Sequence, residues 1–390
     1  MPTPSKIVFI KQGLFSYSNV SVLAQLKKQL PQYEVEEFDL QQVLRRSRRL
    51  RLLGYAHAYR HYGGDILRGR RSRWDCLYQT GFMMREIKRR VGARLAPNRE
   101  QYTFTFQTQS IFDASVEGLP HFVYTDHTNL ANLYYGEAGR GRLFPPYWHA
   151  LERVIYEKAT RVFTMGEHVR RSVVEHYGCP PGKVECVGAG SNIALDPLPL
   201  DNDGYKNQRI LFVGVEWERK GGPLLMEAFR AVLAEFPNAR LTIVGCHPRI
   251  EAPNVEVVGR LPLEEVNRRY AQSSIFCLPT RAEPFGIVFI EAMLRKLPVI
   301  APRLGAMPDF IEDGVSGLLV PPNDVGAWRA ALAGLLASPE KCRRLGENGR
   351  TVAKDRYTWD AVGESMKRAI EASLKSEIRS SKSETNSKSE

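Results

Sequence analysis

Short apolar runs alternate with amphipathic stretches along the first half of this 390-residue chain. The first run, residues 6–10, is followed by a polar loop and then by a helical pattern over residues 20–30. Similar runs recur at 33–38, 102–106, 121–125, 161–164 and 183–187. Short continuous apolar runs predict strands that are buried on both faces, and the stretches between them predict crossover helices. The first half therefore predicts a parallel sheet covered by helices.

The alternation stops and then restarts in the second half. Residues 191–208 hold two prolines, a glycine and six Asn or Asp residues without apolar periodicity, which indicates a linker. Beyond it, apolar runs at 209–213, 240–244, 255–258, 275–278, 298–300 and 317–320 alternate with helical patterns. We therefore predict two doubly wound, Rossmann-like α/β domains over residues 1–190 and 209–355 that face each other across a ligand cleft. Residues 376–390, rich in Ser, Lys and Glu, are predicted to be disordered.

The net charge of +12 is concentrated in the first half of the chain. Residues 41–99 contain 16 basic and 3 acidic residues, and such a segment attracts nucleic acid, anionic lipid or an acidic substrate. Within residues 80–95, apolar side chains recur every four positions among basic ones, at Met83, Ile87, Val91 and Leu95. This pattern is compatible with a helix that lies on a membrane surface. A helix that faces the core and exposes a basic side fits the pattern slightly better.

Two glutamates eight positions apart carry the sharpest chemical signal. Glu283 precedes Pro284, and a proline suits the first turn of a helix. The first backbone amides of that helix would be free to bind a phosphate, and they belong to Phe285, Gly286 and Ile287. Taken alone, Glu283 also suits the positive end of the helix dipole. Glu291 lies among apolar neighbours, where an unpaired carboxylate is costly, and two such carboxylates suit the paired hydroxyls of a ribose or a sugar.

A second candidate element is the loop that follows the apolar run 209–213. It carries two adjacent cations, Arg219 and Lys220, followed by two glycines. A guanidinium fork and a lysine point charge together suit a diphosphate. A solvated turn in which these cations pair with Glu216 or Glu218 fits the same spacing.

Several motifs in the second half occur in a consistent order, namely Phe212–Gly214, Arg219–Gly221, Leu241–Gly245, Val258–Arg260, Glu283–Gly286, Glu291–Ala292, Pro298–Ile300 and Asp313–Gly317. Through them the segment 209–359 resembles the nucleotide-sugar-binding domain of the retaining group 1 glycosyltransferases. These enzymes consist of two facing Rossmann-like domains, known as the GT-B fold. The resemblance implies a glycosyltransferase that moves a sugar from a nucleoside-diphosphate-sugar donor to an acceptor hydroxyl with retention of configuration.

The resemblance also implies roles for the residues that bind the donor. Glu283 would contact the hydroxyls of the donor sugar, and Glu291 would hold the nucleotide ribose. The backbone around Arg260 and Leu261 would meet the base.

The same resemblance assigns the charge chemistry. Arg219 and Lys220 would bind the diphosphate and stabilise its developing charge, and the amides at the start of the helix would add donors. Val215 stands where relatives often have an arginine.

The first half resembles the family more loosely. His127 follows the apolar run 121–125, where relatives often place a histidine near the acceptor and the donor sugar, although a structural histidine beside Asp126 is equally compatible with the sequence. The resemblance also makes Gly13 a candidate contact to the donor phosphate, although it is a single glycine where relatives usually have two. Three further positions would line the cleft, Gly188, Gly190 and Asn192. Residues 356–375 resemble a closing helix that crosses back onto the first domain.

The charge stabilisation offered by two cations and a helix start favours a reaction without a metal. The Asp201–Asp203 triplet stands in the predicted linker and is interpreted as turn chemistry. We expect no cofactor besides the donor substrate, and a carbohydrate or lipid-linked acceptor. The basic segment 41–99 is expected to contact an anionic membrane surface rather than nucleic acid. The alternative function is a nucleic-acid-binding or anionic-surface-binding protein that uses the same segment.

The sequence predicts a cytoplasmic enzyme that is peripheral to the inner face of the membrane. No run of apolar residues reaches the length of a membrane-spanning helix, and the first eleven residues do not suit a secretory signal.

Overall fold

The computed structural model describes residues 5–15, 17–193 and 204–386. The chain forms two compact units, each assembled from separate segments: the first unit from 1–131, 142–187 and 363–390, the second from 132–141 and 188–362. Most of the predicted linker, including the Asp201–Asp203 triplet, lies outside the described residues. The domain bounds predicted from the sequence stay a prediction.

The first unit is built on a six-stranded parallel sheet with the strand order β2-β1-β3-β4-β5-β6. Its strands are β1 (Lys6–Lys11), β2 (Glu34–Asp39), β3 (Tyr102–Thr108), β4 (His121–Thr125), β5 (Arg161–Thr164) and β6 (Val184–Cys186). Aromatic side chains fill its core, and the rings of Phe106 and Phe122 each pack against that of Phe163. Because helices cover both faces of a parallel sheet, the inner strands β1 and β4 appear in the sequence as largely apolar runs, whereas the edge strand β2 (EVEEFD) does not.

The helices of the first 190 residues are α1 (Ser18–Gln29), α2 (Leu40–Arg46), α3 (Arg48–Leu67), α4 (Arg73–Tyr78), α5 (Gly81–Leu95), α6 (Gly136–Arg140), α7 (Pro146–Lys158) and α8 (Glu167–Glu175). Four of them, α2 to α5, stand between β2 and β3, so the basic segment forms a helical insertion. The insertion is divided by side-chain caps. Asp39 caps α2, Ser47 caps α3 and Thr80 caps α5, each accepting a hydrogen bond from a backbone amide of the first turn.

Helix α5 settles the two interpretations of residues 80–95. Its four periodic apolar side chains are buried, at Met83, Ile87, Val91 and Leu95. They pack in one cluster with residues of β1 and α2, among them Val8, Ile10 and Leu44. The interfacial interpretation of this helix was therefore wrong, because its apolar face is consumed by the core and only its basic face is left to solvent.

The second unit is built on a six-stranded sheet with the order β12-β11-β10-β7-β8-β9, again with parallel pairing throughout. Its strands are β7 (Arg209–Val213), β8 (Arg240–Val244), β9 (Val255–Gly259), β10 (Ile275–Cys277), β11 (Val299–Pro302) and β12 (Leu318–Val320). Two parallel sheets with flanking helices confirm the predicted pair of Rossmann-like α/β domains.

The helices of the second half are α9 (Gly222–Leu233), α10 (Leu263–Ala271), α11 (Ile287–Leu294), α12 (Met307–Phe310), α13 (Val325–Leu336), α14 (Pro339–Arg356) and α15 (Trp359–Asn386). Within the first unit, Arg161 of β5 donates a hydrogen bond to the hydroxyl of Ser373 on α15, at 3.2 Å. Helix α15 includes residues 376–386, for which the sequence predicted disorder. These residues continue a helix that is already nucleated, and extending a helix costs far less than starting one.

Candidate functional site

The order of strands in the second sheet identifies the place where a ligand would bind. Strand β7 lies between β8 and β10, so the chain leaves β7 toward one side of the sheet and later returns to its other side. The loop 214–221 follows β7 and the loop 278–286 follows the neighbouring strand β10, so both emerge at the same edge of the sheet. The chain continues from them in opposite directions across the sheet. In open α/β sheets, ligands bind at such a switch point.

These two loops are joined by an ion pair between Lys220 and Glu283. The ammonium of Lys220 donates to the carboxylate of Glu283, and the two residues are only 8 % and 7 % exposed. The amide of Lys220 is fixed in turn by the carbonyl of Glu216, at 2.8 Å. A buried pair of this kind holds its loops together, because removal of either partner leaves an uncompensated charge.

Arg219 lies beside this pair and connects the same two loops. Its guanidinium donates to both carboxylate oxygens of Glu216, at 2.9 and 2.8 Å, which is the pairing that the sequence offered as an alternative. A third hydrogen bond, 2.7 Å long, reaches the carbonyl of Ala282 in the loop after β10. Burial alone would lower the pKa of Arg219, but the hydrogen bond to Glu216 and the charge of Glu283 raise it above its ordinary value. Arg219 therefore remains a permanent cation at this edge.

Two glycines allow the loops to approach each other closely. Gly221 has φ +75°, and a Cβ atom there would lie 1.8 Å from the carbonyl oxygen of Pro279. Gly305 has φ +56°, and its Cβ atom would lie 2.5 Å from the carbonyl oxygen of Glu283. That carbonyl also accepts a hydrogen bond from the hydroxyl of Tyr135, at 2.9 Å. The backbone of Glu283 is thus fixed from two sides.

The helix after Glu283 begins later than the sequence predicted. Its first residue is Ile287, and Gly286 before it has φ +92°, which a helical residue cannot adopt. The segment of Pro284 and Phe285 is therefore an irregular turn, and the helix amides that lack a partner within the helix start at Ile287 rather than at Phe285. The ring of Phe285 is buried, with its centroid 5.6 Å from that of Phe310.

Glu291 is buried inside α11, at 4 % exposure. Its carboxylate accepts hydrogen bonds from the amide of Asn192, at 3.3 Å, and from the hydroxyl of Tyr270, at 3.1 Å. Burial raises the pKa of Glu291 to about 7, although both hydrogen bonds oppose this shift. The carboxyl group is therefore poised to change its charge near neutral pH, and hydroxyl donors from a ligand would favour the ionised form.

Arg260 and Leu261 follow β9 at the same edge of the sheet. Arg260 is exposed and Leu261 is half-buried. Gly259 before them has φ +78°, and a Cβ atom there would lie 1.9 Å from the imidazole of His247. The contact of this backbone with the base stays a prediction.

His127 lies in the first unit, immediately after β4. Its carbonyl oxygen accepts from the hydroxyls of Thr125, at 2.8 Å, and Ser110, at 3.1 Å. The charge of His127 adds to burial in lowering the pKa of His168 to about 3, so that second histidine is neutral at physiological pH. His127 is half-buried, and its role stays a prediction.

A buried carboxylate supports the loop that carries His127. Glu152 on α7 is 2 % exposed and accepts hydrogen bonds from the amide of Asn129, at 3.2 Å, and from the hydroxyls of Tyr156, at 3.0 Å, and Tyr177. Burial raises the pKa of Glu152 to about 7, against the effect of these donors. The backbone after His127 is thereby anchored to α7.

Gly13 follows β1 at the carboxyl edge of the first sheet. It has φ +61°, its amide donates to Asp39 at 3.2 Å, and its carbonyl accepts from the side-chain amide of Asn19 at 2.7 Å. Its hydrogen bonds are thus made within the first unit, and phosphate contact at Gly13 stays a prediction.

Three residues that position the site were not identified from the sequence, namely Tyr135, Tyr270 and Glu152. Tyr135 and Tyr270 are remote in sequence from the glutamates that they contact, so no local pattern connects them. Glu152 had a weak signal, since it is an acidic residue at a position of α7 that is flanked by apolar residues one turn away.

None of the helices in the described ranges combines the length and hydrophobicity that a bilayer span requires. Within the same ranges, no three His, Cys, Asp or Glu side chains cluster as ligands for a metal ion.

Family models match a segment in each half of the chain. Residues 207–338 match the model described as "Glycosyl transferases group 1". Residues 108–194 match the model described as "Glycosyltransferase Family 4". The two matches contain the candidate residues of the second unit and His127.

Curated relatives carry the names of glycosyltransferases. The D-inositol 3-phosphate glycosyltransferase of Segniliparus rotundus is 28 % identical over 228 residues, which cover 52 % of this chain and 50 % of that one. The GDP-mannose-dependent alpha-(1-6)-phosphatidylinositol monomannoside mannosyltransferase of Mycolicibacterium smegmatis is 32 % identical over 163 residues, which cover 37 % and 43 %. The match thus spans about half of the length of these relatives, or less.

Solved structures with the same fold cover nearly the whole chain. Sucrose-phosphate synthase from Thermosynechococcus elongatus superimposes with a TM-score of 0.65 at 18 % identity and covers 94 % of this chain and 98 % of its own. HepE from Anabaena, solved with UDP and glucose, gives a TM-score of 0.64 at 13 % identity and covers 94 % and 100 %. At these identities the likeness establishes the GT-B fold.

Proposed function

The chain belongs to the group 1 glycosyltransferases, and from this we propose that it moves a sugar from a nucleoside-diphosphate-sugar donor to an acceptor hydroxyl. The observation that carries the proposal is the contact between Lys220 and Glu283 at the switch point of the second sheet. A cation for a diphosphate and a carboxylate for sugar hydroxyls stand together there, directly before the free amides of α11.

The transfer step requires that negative charge be stabilised as the diphosphate departs. The bond between the anomeric carbon and the diphosphate oxygen breaks, and a bond to the acceptor oxygen forms. We propose that Lys220, Arg219 and the first amides of α11 stabilise the departing diphosphate, so that no metal is needed. We further propose that the acceptor attacks from the face that the diphosphate leaves and gives its proton to a diphosphate oxygen, which retains the configuration.

The nucleoside would be held by the buried carboxylate of Glu291 and by the backbone around Arg260 and Leu261. Tyr270 and the amide of Asn192 orient that carboxylate, and the ribose hydroxyls would add donors to it. On the acceptor side we propose His127. Gly13 is retained as a candidate contact to phosphate.

The acceptor class is suggested by the names of the relatives. One is named for inositol 3-phosphate and another for a phosphatidylinositol mannoside. We propose a carbohydrate or lipid-linked acceptor with a polyol head, reached at an anionic membrane surface that the segment 41–99 contacts. Location in the cytoplasm, peripheral to the membrane, is part of this proposal, and binding of nucleic acid is not expected.

Binding of the donor is tested by thermal shift against a panel of UDP-, GDP- and ADP-sugars. A ligand that binds only the folded state raises the unfolding temperature in proportion to the logarithm of its concentration, so one base is expected to stand out. Transfer is then measured with that donor and with soluble acceptors that include inositol 3-phosphate. The absence of a shift with every donor would contradict the proposal.

The site assignment is tested by Lys220→Ala with Lys354→Ala as the matched control, since Lys354 is exposed on α14 in the same unit. Loss of one charge-stabilising donor is expected to reduce transfer by a factor of about 10²–10³. The control is expected to retain full transfer. Equal turnover of both variants, with folding verified by circular dichroism, would remove Lys220 from the mechanism.

A further inference from the structure

Helix α3 has apolar side chains on two faces. Its inward face is buried, at Leu50, Gly54, Ala58 and Tyr62. The packing there is tight, because a Cβ atom on Gly54 would lie 2.6 Å from the side chain of Leu77. One apolar face is thus fully used by the core of the first unit.

The second apolar face points to solvent. Leu52 is 69 % exposed, Tyr59 is 42 % exposed and Leu67 is 81 % exposed. At 100° per residue, an arc of about 80° on the helix surface contains Leu52, Ala56, Tyr59, Gly63 and Leu67, with Arg49 on its boundary in line with Leu67. This arc is called the outer face of α3. Large apolar side chains aligned along about four turns of an exposed helix indicate a binding surface.

Arginines flank the outer face on both sides. Arg48 lies on one side of the arc, and Arg49 and Arg60 lie on the other, and all three are exposed. Residues 40–64 contain six arginines and no acidic residue. In the part of the chain that the structure describes, none of the three flanking arginines forms an ion pair. Their charge is therefore available to an anionic partner.

The combination of leucines and arginines decides which partner fits. A nucleic acid would use the arginines but would leave the leucines in water. An anionic bilayer uses both, because leucine and tyrosine enter the boundary between headgroups and acyl chains while arginine side chains extend to the phosphates. The arrangement on α3 is that of a helix lying in such an interface.

We propose that the outer face of α3 is a docking surface for an anionic lipid bilayer, with Leu52, Tyr59 and Leu67 inserted among the lipids. This deepens the proposed membrane contact of the segment 41–99 and assigns it to α3, whereas α5 is excluded because its apolar stripe is buried. The proposed function explains why this chain would bind a membrane, and the proposal rests on it only in that respect. Binding to vesicles is therefore tested without donor or acceptor.

The experiment is co-sedimentation of the full chain with vesicles of phosphatidylcholine alone and with vesicles that contain about one-third phosphatidylglycerol. The wild type is expected to bind only the second kind. Arg48→Gln/Arg49→Gln is expected to lower binding about 25-fold, since each charge near an anionic surface contributes about fivefold. Leu52→Ser/Leu67→Ser is expected to lower it by at least roughly tenfold.

Matched controls remove the same groups from the second unit. Leu263→Ser removes a leucine that is 38 % exposed, and Arg343→Gln/Arg344→Gln removes two exposed arginines of α14. Both are expected to leave binding to vesicles unchanged. Circular dichroism of every variant verifies that the exposed substitutions leave the fold intact.

Three results would overturn the proposal: equal binding to both kinds of vesicle, loss of binding in the controls, or a leucine variant that binds like the wild type. In the last case the segment acts by charge alone, and a parallel titration with duplex DNA would then identify a nucleic-acid site. Transfer to a soluble acceptor is measured separately, so an inactive chain that still binds vesicles contradicts the proposed function and not the docking surface.

Discussion

Replacing Glu291 by glutamine changes the charge of the buried site while leaving its shape intact. In the wild type, one carboxylate oxygen accepts from the amide of Asn192 and the other from the hydroxyl of Tyr270. In Glu291→Gln the side-chain oxygen can still accept from Asn192, and the new amide faces the hydroxyl of Tyr270. That hydroxyl can accept from the amide and donate instead to the carbonyl of Val288, which is 3.2 Å away. The amide oxygen, one N–H of the new amide and the hydroxyl of Tyr270 therefore each have a partner.

The expected effect on stability depends on pH. The pKa of Glu291 is 4.5 in its ordinary state and about 7 in the folded chain. Because the pKa is raised in the folded chain, the folded chain holds the proton of Glu291 more tightly than the unfolded chain does. The stability that the bound proton contributes is complete below pH 4.5 and is lost as the pH rises to about 7. A shift of this size corresponds to about 3 kcal/mol. The glutamine variant has no such loss.

We therefore expect Glu291→Gln to equal the wild type at about pH 4.5 and to be more stable by about 3 kcal/mol at about pH 8. Since the chain has two units, a single unfolding midpoint does not isolate the site. Hydrogen exchange of peptides from α11, followed by mass spectrometry at both pH values, reports the local opening energy. Glu264→Gln is the matched control, because that side chain is 77 % exposed on α10.

A difference between Glu291→Gln and the wild type that is the same at both pH values would refute the argument. So would a variant that is less stable at high pH, because the carboxylate would then be better solvated by its partners than its burial indicates. Nucleotide affinity provides a second measurement. If the ribose hydroxyls donate to the ionised carboxylate, the wild type binds nucleotide more tightly as pH rises through about 7, and Glu291→Gln loses this dependence.

Three further changes test how the loops around Glu283 are held. Tyr135→Phe removes the hydrogen bond to the carbonyl of Glu283. We expect it to lower the free energy of unfolding by about 1 kcal/mol, measured by thermal unfolding, and to lower kcat for transfer by up to roughly tenfold. Unchanged values of both would mean that the bond is not needed. Gly221→Ala places a Cβ atom against a carbonyl at positive φ, and we expect it to lower the free energy of unfolding by more than about 1–3 kcal/mol. Gly334→Ala on α13, which has open space around it, is expected to raise the free energy of unfolding by about 0.5–1 kcal/mol. Equal unfolding temperatures of the two variants would contradict this contrast. Lys220→Ala leaves the charge of Glu283 uncompensated and is expected to lower the free energy of unfolding by about 3–5 kcal/mol. Adding Glu283→Gln to this variant is expected to restore much of that loss. If the losses of the two single variants add up in the double variant, the two residues are not coupled.

The sheets could be predicted from the sequence because their strands are local patterns. Runs such as residues 209–213 are apolar at nearly every position, and a strand buried on both faces has no other signature. The burial of Glu291 could be predicted for the same reason, since apolar neighbours surround it within one turn on each side.

The details of the site depend on contacts between residues that are distant in sequence. Tyr135 donates to a carbonyl 148 positions away, and Asn192 reaches a carboxylate 99 positions away. The start of α11 was predicted too early because Pro284 favours a first turn, while the left-handed conformation of Gly286 is set by the packing around it. The two faces of α3 were missed because their apolar patterns overlap, so that the helix shows no clear amphipathic period.

The segment 132–141 belongs to the second unit although it lies within the sequence of the first. A protein engineer who exchanges donor specificity by grafting residues 188–362 from one relative into another would therefore leave Tyr135 behind. The graft would carry Glu283 without the hydroxyl that fixes its backbone. Chimeras of this chain should be cut so that both pieces of the second unit come from the same parent.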